Sequence, residues 1–337
     1  MLHIIANQFT LTSFLLDSLL PAGQANVLVH PRRIKGPAYS LFKNVDAWLP
    51  FELPGFEPFA RDYLQRLSAI PKDAPVLIFG IENIKDLRII RKHLRTRNVS
   101  VFTWNPVIDH SQNHRLRRLH IRLLKGLGFR VFTFDPDDAR RYGLALVNQV
   151  YRRVDEYIAP VAAEFDVYFL GKNKGRSAAL GELAQQLIAQ GIQPHFQMVG
   201  EEGVEYPERA GVEIIRKEIS YLENIDTINR SRCLLELTQA NQTGLTIRCM
   251  EALFFGKKLI TSNPLVKKMP FYHRNAFFVL GQDDFSRIGD FLQSEMPRFA
   301  DADLASHEFS HWVQQFEPAP CGSGSRERLE VASALPC

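Results

Sequence analysis

The chain has 337 residues, of which 45% are apolar and 23% charged, with a formal net charge of +4. This is the composition of an ordinary globular protein; it excludes a disordered or fibrous chain, and the length leads us to expect two domains. No run of about 18 apolar residues occurs, so no membrane-spanning helix is expected.

The start, MLHIIANQFTLTSFLLDSLLP, lacks a basic region and is broken by Asn7, Gln8 and Asp17, so we expect no signal peptide. Strand-like runs follow at residues 2–9, 26–30, 75–80, 99–104 and 129–134. Two basic stretches, 86–97 and 114–130, fall between the later runs and read as amphipathic helices with basic outer faces. Leu87, Ile90 and Leu94 form the apolar spacing of the first; Leu116, Leu119, Leu123 and Leu124 form that of the second. Such faces are either solvated surface or a surface that meets anionic lipid. DNA is a poorer third option, since no zinc-finger, helix-turn-helix or RNA-binding aromatic signature occurs, and no nucleic-acid partner is expected. A helical pattern is expected around Ala145–Tyr157.

The second half repeats the alternation. Strands are expected at 166–171, 194–200, 212–216, 233–238, 257–262 and 276–281, and helices at 177–191, 220–231, 244–255 and 283–294. Ser220 and Glu223 have capping-box spacing. Strands separated by helices imply parallel pairing, so the fold class is α/β, with two Rossmann-like doubly wound domains facing a central cleft. The expected boundaries are 1–158, 159–317, and a loosely ordered tail at 318–337. Cys233, Cys249, Cys321 and Cys337 form no CxxC pair and are expected to be free thiols in a reducing cytoplasm.

Two motifs fall at expected carboxyl ends of strands, where open α/β sheets bind ligands. In GKNKGR, Gly171 and Gly175 permit tight turns while Lys172, Lys174 and Arg176 bring positive charge next to a helix start. This reads either as a phosphate or diphosphate site or as a basic surface turn. In QTGLTIRCMEALFFGKKLITSN, Gln242, Thr243, Gly244 and Thr246 precede or open a helix expected to start at Thr243 or Gly244. Arg248 and Glu251, one turn apart, are the charged side chains of an otherwise apolar helix. They form either an internal ion pair or a ligand contact, an Arg suiting phosphate and a carboxylate suiting ribose hydroxyls.

The second motif resembles the donor-site segment of GT-B-fold glycosyltransferases. Glu251-Ala252-Leu253, Gly256-Lys257 and Leu259-Ile260-Thr261 match its pattern in order. Thr243 stands where many retaining members carry an upstream Glu, and Lys258 replaces the usual Pro, which leaves retaining versus inverting open. The phrases FTWNPV, FTFDPDDARRYGL, VYFLGKNKGR and ISYLENI, with the motif itself, are similar to bacterial lipopolysaccharide or capsular polysaccharide biosynthesis proteins.

The resemblance implies that Glu251 holds a nucleotide ribose and that GKNKGR occupies the donor-phosphate place. Thr243, Gly244 and Arg248 would approach the phosphates or sugar, with Tyr221 near the base. The implied reaction moves a sugar from a nucleotide-sugar donor, with no other cofactor and no metal, to a saccharide or lipid-linked saccharide acceptor bound by the N-terminal domain. Glu82, Asp109, His110 and Asn7, after expected N-terminal strands, are candidate catalytic bases, of which Asp109 and Glu82 are preferred, although each of the four is more often a cap or turn former than a base; His195 and His273 read as structural. The expected location is cytoplasmic, peripheral on the inner membrane face. A sugar-nucleotide epimerase of the same fold and a non-catalytic assembly protein are the alternatives.

Overall fold

The computed structural model describes residues 1–19, 23, 25–31, 59–107, 114–201, 203–217, 219–239 and 242–317. Asp109, its neighbour His110 and the 318–337 tail lie outside them. The chain divides into two compact units, Met1–Asn148 with the segment from Val313 on, and Gln149–Trp312.

The first unit holds a parallel sheet of β1 (Leu2–Ala6), β2 (Ala25–Val29), β3 (Val76–Phe79), β4 (Val99–Thr103), β5 (Arg130–Thr133) and β6 (Ala145–Leu146), in the order β2-β1-β3-β4-β5-β6. Helices α1 (Thr10–Leu16), α2 (Arg61–Ala69), α3 (Ile84–His93), α4 (His114–Gly126) and α5 (Pro136–Tyr142) fall between the strands. All four residues of β3 and all five of β4 are buried, as strands covered on both faces require. The core joins Ile5, Val76, Ile78, Val99 and Val101 to Leu64, Leu87, Ile90, Ile121 and Leu124. The chain reverses direction across the sheet between β1 and β3. There Asn7 Nδ2 donates to Gly80 O at 2.5 Å, and Gly80 has φ +72°. A Cβ at Gly80 would sit 2.6 Å from that amide, so this crossing requires glycine.

Two expectations change here. In α4 the buried side chains are Ile121 and Leu124, whereas Leu116 and Leu119 are 54% and 51% exposed. Spacings of four and three residues put Arg117, Ile121 and Leu124 on one side of the helix, with Leu116 and Leu119 well round from it. The helical pattern expected over Ala145–Tyr157 is not a helix. Ala145 and Leu146 pair with Phe132 and Thr133, and only Asp155–Tyr157 forms a 3-10 turn. The backbone between is committed elsewhere: Tyr151 N–H donates to His307 O at 2.8 Å and Tyr151 O accepts from Phe309 N–H at 2.7 Å. These bonds stitch the residues after Asn148 into the second unit, so the expected boundary at 158 falls inside that unit. Phe316, returning to the first unit, packs its ring edge-on against Phe132 at 4.9 Å.

The second unit's sheet is also parallel: β7 (Phe165–Lys172), β8 (Pro194–Val199), β9 (Val212–Ile215), β10 (Ser231–Glu236), β11 (Lys258–Thr261) and β12 (Phe277–Val279), in the order β12-β11-β10-β7-β8-β9. Chain order runs outward from β7 to β9, then returns to β10 on β7's other side. This is the doubly wound Rossmann order, with its switch point between β7 and β10. Helices α6 (Ser177–Ala189), α7 (Tyr221–Asn229), α8 (Ile247–Phe254), α9 (Ile288–Gln293), α10 (Asp301–Ala305) and α11 (Phe309–Trp312) complete it. The capping box at Ser220 and Glu223 forms with both reciprocal bonds. Among the described residues no helix is long and apolar enough to cross a membrane.

Candidate functional site

The loops that leave β7 and β10 carry most of the expected site residues, and the topology places both at the switch point of the second sheet. Asn173 to Arg176 form a turn closed by Arg176 N–H to Asn173 O at 2.8 Å. Its middle residues, Lys174 and Gly175, have φ +43° and +77°. Two successive left-handed residues define a type I′ turn, which Gly175 adopts freely and Lys174 only at a cost. Asn173 Oδ1 accepts from Ser177 N–H at 3.1 Å and so caps α6. Lys172, Lys174 and Gly175 are exposed.

Arg176 braces this turn against the other loop. Nη1 donates to Leu237 O, beyond β10, at 2.8 Å; Nη2 donates to Lys172 O at 2.5 Å, and Nε to Asn173 O at 3.3 Å. The guanidinium lies 5.3 Å from the centre of the Phe169 ring. All three hydrogen bonds go to backbone carbonyls and, among the described residues, none to a carboxylate, so these partners orient the positive charge without neutralising it. Burial, then the charge of Arg248, lowers the Arg176 pKa. Gly171 leaves room for this arrangement, since a Cβ there would lie 3.0 Å from Phe169 Cζ and 3.1 Å from Arg176 Nη2.

Helix α8 begins three residues later than the sequence implies. Thr246 is its N-cap and accepts from Arg248 N–H at 3.0 Å. The preceding residues form a loop held from outside: Asn263 Nδ2 donates to Thr243 O at 3.2 Å and to Gly244 O at 3.0 Å, and Gln149 Nε2 to Leu245 O at 3.2 Å. Gln242 and Thr243 are half-buried and Gly244 is buried. The Thr246 hydroxyl donates to Glu236, whose other oxygen accepts from Thr261. Glu236 is 3% exposed. Burial raises its pKa although these two hydroxyls oppose the shift.

Arg248 and Glu251 pair with each other. Arg248 Nη1 lies 2.7 Å from Glu251 Oε2, and the arginine is the more exposed partner, at 12% against 3%. Arg248 Nη2 donates to Leu170 O, near the end of β7, at 3.1 Å, and the guanidinium stands 5.5 Å from the centre of the Tyr168 ring. Burial alone would lower the Arg248 pKa, but the charge of Glu251, with help from nearby tyrosines, raises it. The other carboxylate oxygen, Glu251 Oε1, accepts from Tyr221 Oη at 2.6 Å and from Asn224 Nδ2 at 3.2 Å. Tyr221 also shares a hydrogen bond with the Tyr151 hydroxyl, and Tyr168 Oη donates to Asn224 Oδ1 at 3.2 Å. Burial, then the Glu251 charge, lifts the Tyr151 and Tyr221 pKa values well above the ordinary range, so both phenols stay protonated. Both oxygens of Glu251 are thus engaged within the protein, while Arg248 keeps an exposed edge at the switch point.

Tyr151, Tyr168, Asn224, Glu236 and Asn263 were not among the expected site residues. Only Glu236 carried a signal, a carboxylate inside the apolar run CLLELT. Glu82 belongs to the first unit, where its Oε1 accepts from Asn105 N–H at 2.9 Å and so ties the loop after β3 to the loop after β4. His195 stacks on Phe165 at 4.1 Å, and His273 Nδ1 accepts from Asn275 N–H at 3.1 Å. Lys258, in place of the expected Pro, is 5% exposed and donates to Asn275 O, Phe291 O and Ser294 Oγ at 2.6–2.7 Å, closing the end of α9.

No protein-family model matches the chain, and no curated protein matches its sequence. Solved structures do match over nearly the whole chain. A UDP-forming α,α-trehalose-phosphate synthase from Burkholderia xenovorans, in complex with glucose-6-phosphate, is similar with 12% identity over 94% of this chain and 98% of that one, at a TM-score of 0.56. Anabaena HepE in complex with UDP-glucose is similar with 11% identity over 94% and 98%, at 0.51. The N-terminal domain of Candida albicans trehalose-6-phosphate phosphatase follows with 10% identity over 94% and 95%, at 0.50. Together with the two parallel six-stranded sheets, these likenesses give the chain the GT-B fold of two Rossmann-like domains.

Proposed function

We propose that the chain is a glycosyltransferase that moves a sugar from a nucleotide-sugar donor to a saccharide acceptor. The observation that carries this reading is Arg176, whose guanidinium, held by backbone carbonyls, stands at the switch point of a Rossmann sheet beside the exposed edge of Arg248. A diphosphate leaving group needs such charge as the glycosidic bond breaks, and donors already held in place spend no reorganisation during the reaction. The exposed Lys174 lies on the turn that Arg176 closes, and the exposed Lys172 ends β7 just before it. We read the transfer as metal-independent on the strength of these cations. The fold supports the reading, since similar structures include one bound to UDP-glucose and one named UDP-forming.

In this reading Glu251 acts by holding Arg248 and Tyr221, and the ribose role that the sequence resemblance implies requires it to exchange one of those partners for the ligand. The first unit takes the acceptor, and Glu82 or Asp109 takes the acceptor proton. A lipid-linked acceptor in bacterial surface polysaccharide synthesis, at the cytoplasmic face of the inner membrane, is the finer form of the proposal and rests on the resemblance of the quoted motifs.

Thermal unfolding with UDP, GDP, CMP or ADP tests the donor site, on the natural chain and on Lys172→Ala/Lys174→Ala. A nucleotide at 100 times its dissociation constant stabilises by about 2.7 kcal/mol, a shift of a few degrees for a chain of this size. The expected result is a shift from one nucleotide that the double variant loses while keeping its ligand-free Tm. No shift from any nucleotide overturns the donor-site reading.

A further inference from the structure

We infer that the outer face of α4 is a docking surface for an anionic phospholipid bilayer. The sequence offered two basic helices for such a role, and their burial separates them. Helix α3 buries its leucine and isoleucine seam in the core through Leu87 and Ile90. Helix α4 touches the same core with Ile121 and Leu124 but turns Leu116 and Leu119 outward, each more than half exposed. Arg115, Arg118 and Arg122 are exposed beside them. At 3.6 residues per turn, Arg115, Leu119 and Arg122 lie on one stripe, with Leu116 on one flank and Arg118 on the other. No acidic residue occurs between His110 and Phe134.

This pattern fits a lipid head-group layer better than the other partners a basic face could take. The leucines reach the acyl boundary while the arginine heads stay among phosphates, the arrangement of an interfacial helix. A nucleic-acid backbone has no use for two outward leucines. A second copy of the chain, meeting this face about a two-fold axis, would set arginine against arginine with no acid to answer it. Lys125 is not counted in the surface, because its Nζ donates to Tyr142 O and Gly143 O at 2.9 and 2.8 Å.

The test is co-sedimentation of the full chain with vesicles of phosphatidylcholine alone and of phosphatidylcholine with phosphatidylglycerol, at low and high salt. The measurement needs no substrate and stands apart from the transfer reading. Binding is expected to the anionic vesicles only and to weaken with salt. Basic residues near such a surface each contribute about a five-fold gain in partition, so Arg118→Gln/Arg122→Gln is expected to lose on the order of 30-fold. Leu116→Ser/Leu119→Ser is expected to lose at least as much, with far-ultraviolet circular dichroism and Tm unchanged because both side chains are outside the core. Equal binding to neutral vesicles, indifference to either variant, or no binding at all overturns the proposal. So does competition by a single-stranded polynucleotide that survives the leucine substitutions, or a dimer, seen by sedimentation, that those substitutions dissolve.

Discussion

Arg248 Nη1 and Glu251 Oε2 stand 2.7 Å apart across one turn of α8, in a helix whose other side chains from Cys249 to Phe254 are buried. An exposed pair of this spacing contributes only about 0.3–0.5 kcal/mol. This one is almost dry, so its members depend on each other far more. Glu251→Ala leaves a buried guanidinium without its counter-charge and removes the acceptor of Tyr221 and Asn224. The expected loss in urea unfolding is about 3–5 kcal/mol. Arg248→Met/Glu251→Leu removes both charges together and is expected to lose less than the single variant. A double variant that loses as much or more would show that the bonds of Tyr221 and Asn224 to the carboxylate, rather than the ion pair, carry the stability.

Gly171→Ala probes the brace rather than the pair. The added methyl meets the Phe169 ring and Arg176 Nη2 at 3.0–3.1 Å, so the flexible arginine moves first. We expect about 1–2 kcal/mol of lost stability, and a nucleotide-induced thermal shift that falls by at least half. A full shift in the variant would mean that the position of Arg176 is irrelevant to the ligand.

Lys258→Met tests an interior cation. Its ammonium donates to two acceptors at the C-terminal end of α9, Phe291 O and Ser294 Oγ, and to Asn275 O in the loop before β12, and lies 4.8 Å from the Phe291 ring centre. Burial lowers its pKa, and the hydrogen bonds hold it in place. Methionine keeps the stem but removes three hydrogen bonds, and although Phe291 O still accepts from Ser294 Oγ at 2.8 Å, the expected cost is about 1–3 kcal/mol in chemical unfolding. An unchanged midpoint would show that solvent can replace the ammonium.

Both sheets were legible in the sequence because parallel strands buried on two faces read as apolar runs such as VLIF and KLIT, spaced by amphipathic helices. The capping box at Ser220 was legible because its two partners are three residues apart. The start of α8 was not. Gln242 to Leu245 look like the first turn of a helix, but Asn263 and Gln149 hold their carbonyls in a loop, and no local pattern reports bonds from residues so distant. The same distance hid Tyr151 and Asn224, which reach the Glu251 network from other elements. Leu116 and Leu119 were misassigned because periodicity shows that a helix has an apolar side, while only packing shows which side meets the core.

A pH dependence follows from Asp138 in the first unit, which is 8% exposed and whose Oδ2 accepts from Val107 N–H at 2.7 Å. Burial raises its pKa from 3.8 to about 6, with Asp135 adding to the rise and the Val107 bond opposing it. A carboxyl whose folded pKa lies above its unfolded value contributes stability below the unfolded pKa and loses it as pH rises through the folded one. The contribution of Asp138 is therefore complete below about pH 4 and gone above about pH 6, a difference of about 3 kcal/mol. Asp138→Asn keeps an oxygen for Val107 and cannot ionise. It should match the natural chain near pH 4 and exceed it by about 1–3 kcal/mol near pH 7.5, measured by urea unfolding at each pH. A constant difference across that range would place the titration elsewhere. A loss at both ends, including pH 4 where the folded side chain is a neutral carboxyl, would mean that the amide does not reproduce the Val107 bond, and that this side chain is kept for the loop it anchors rather than tolerated despite its charge.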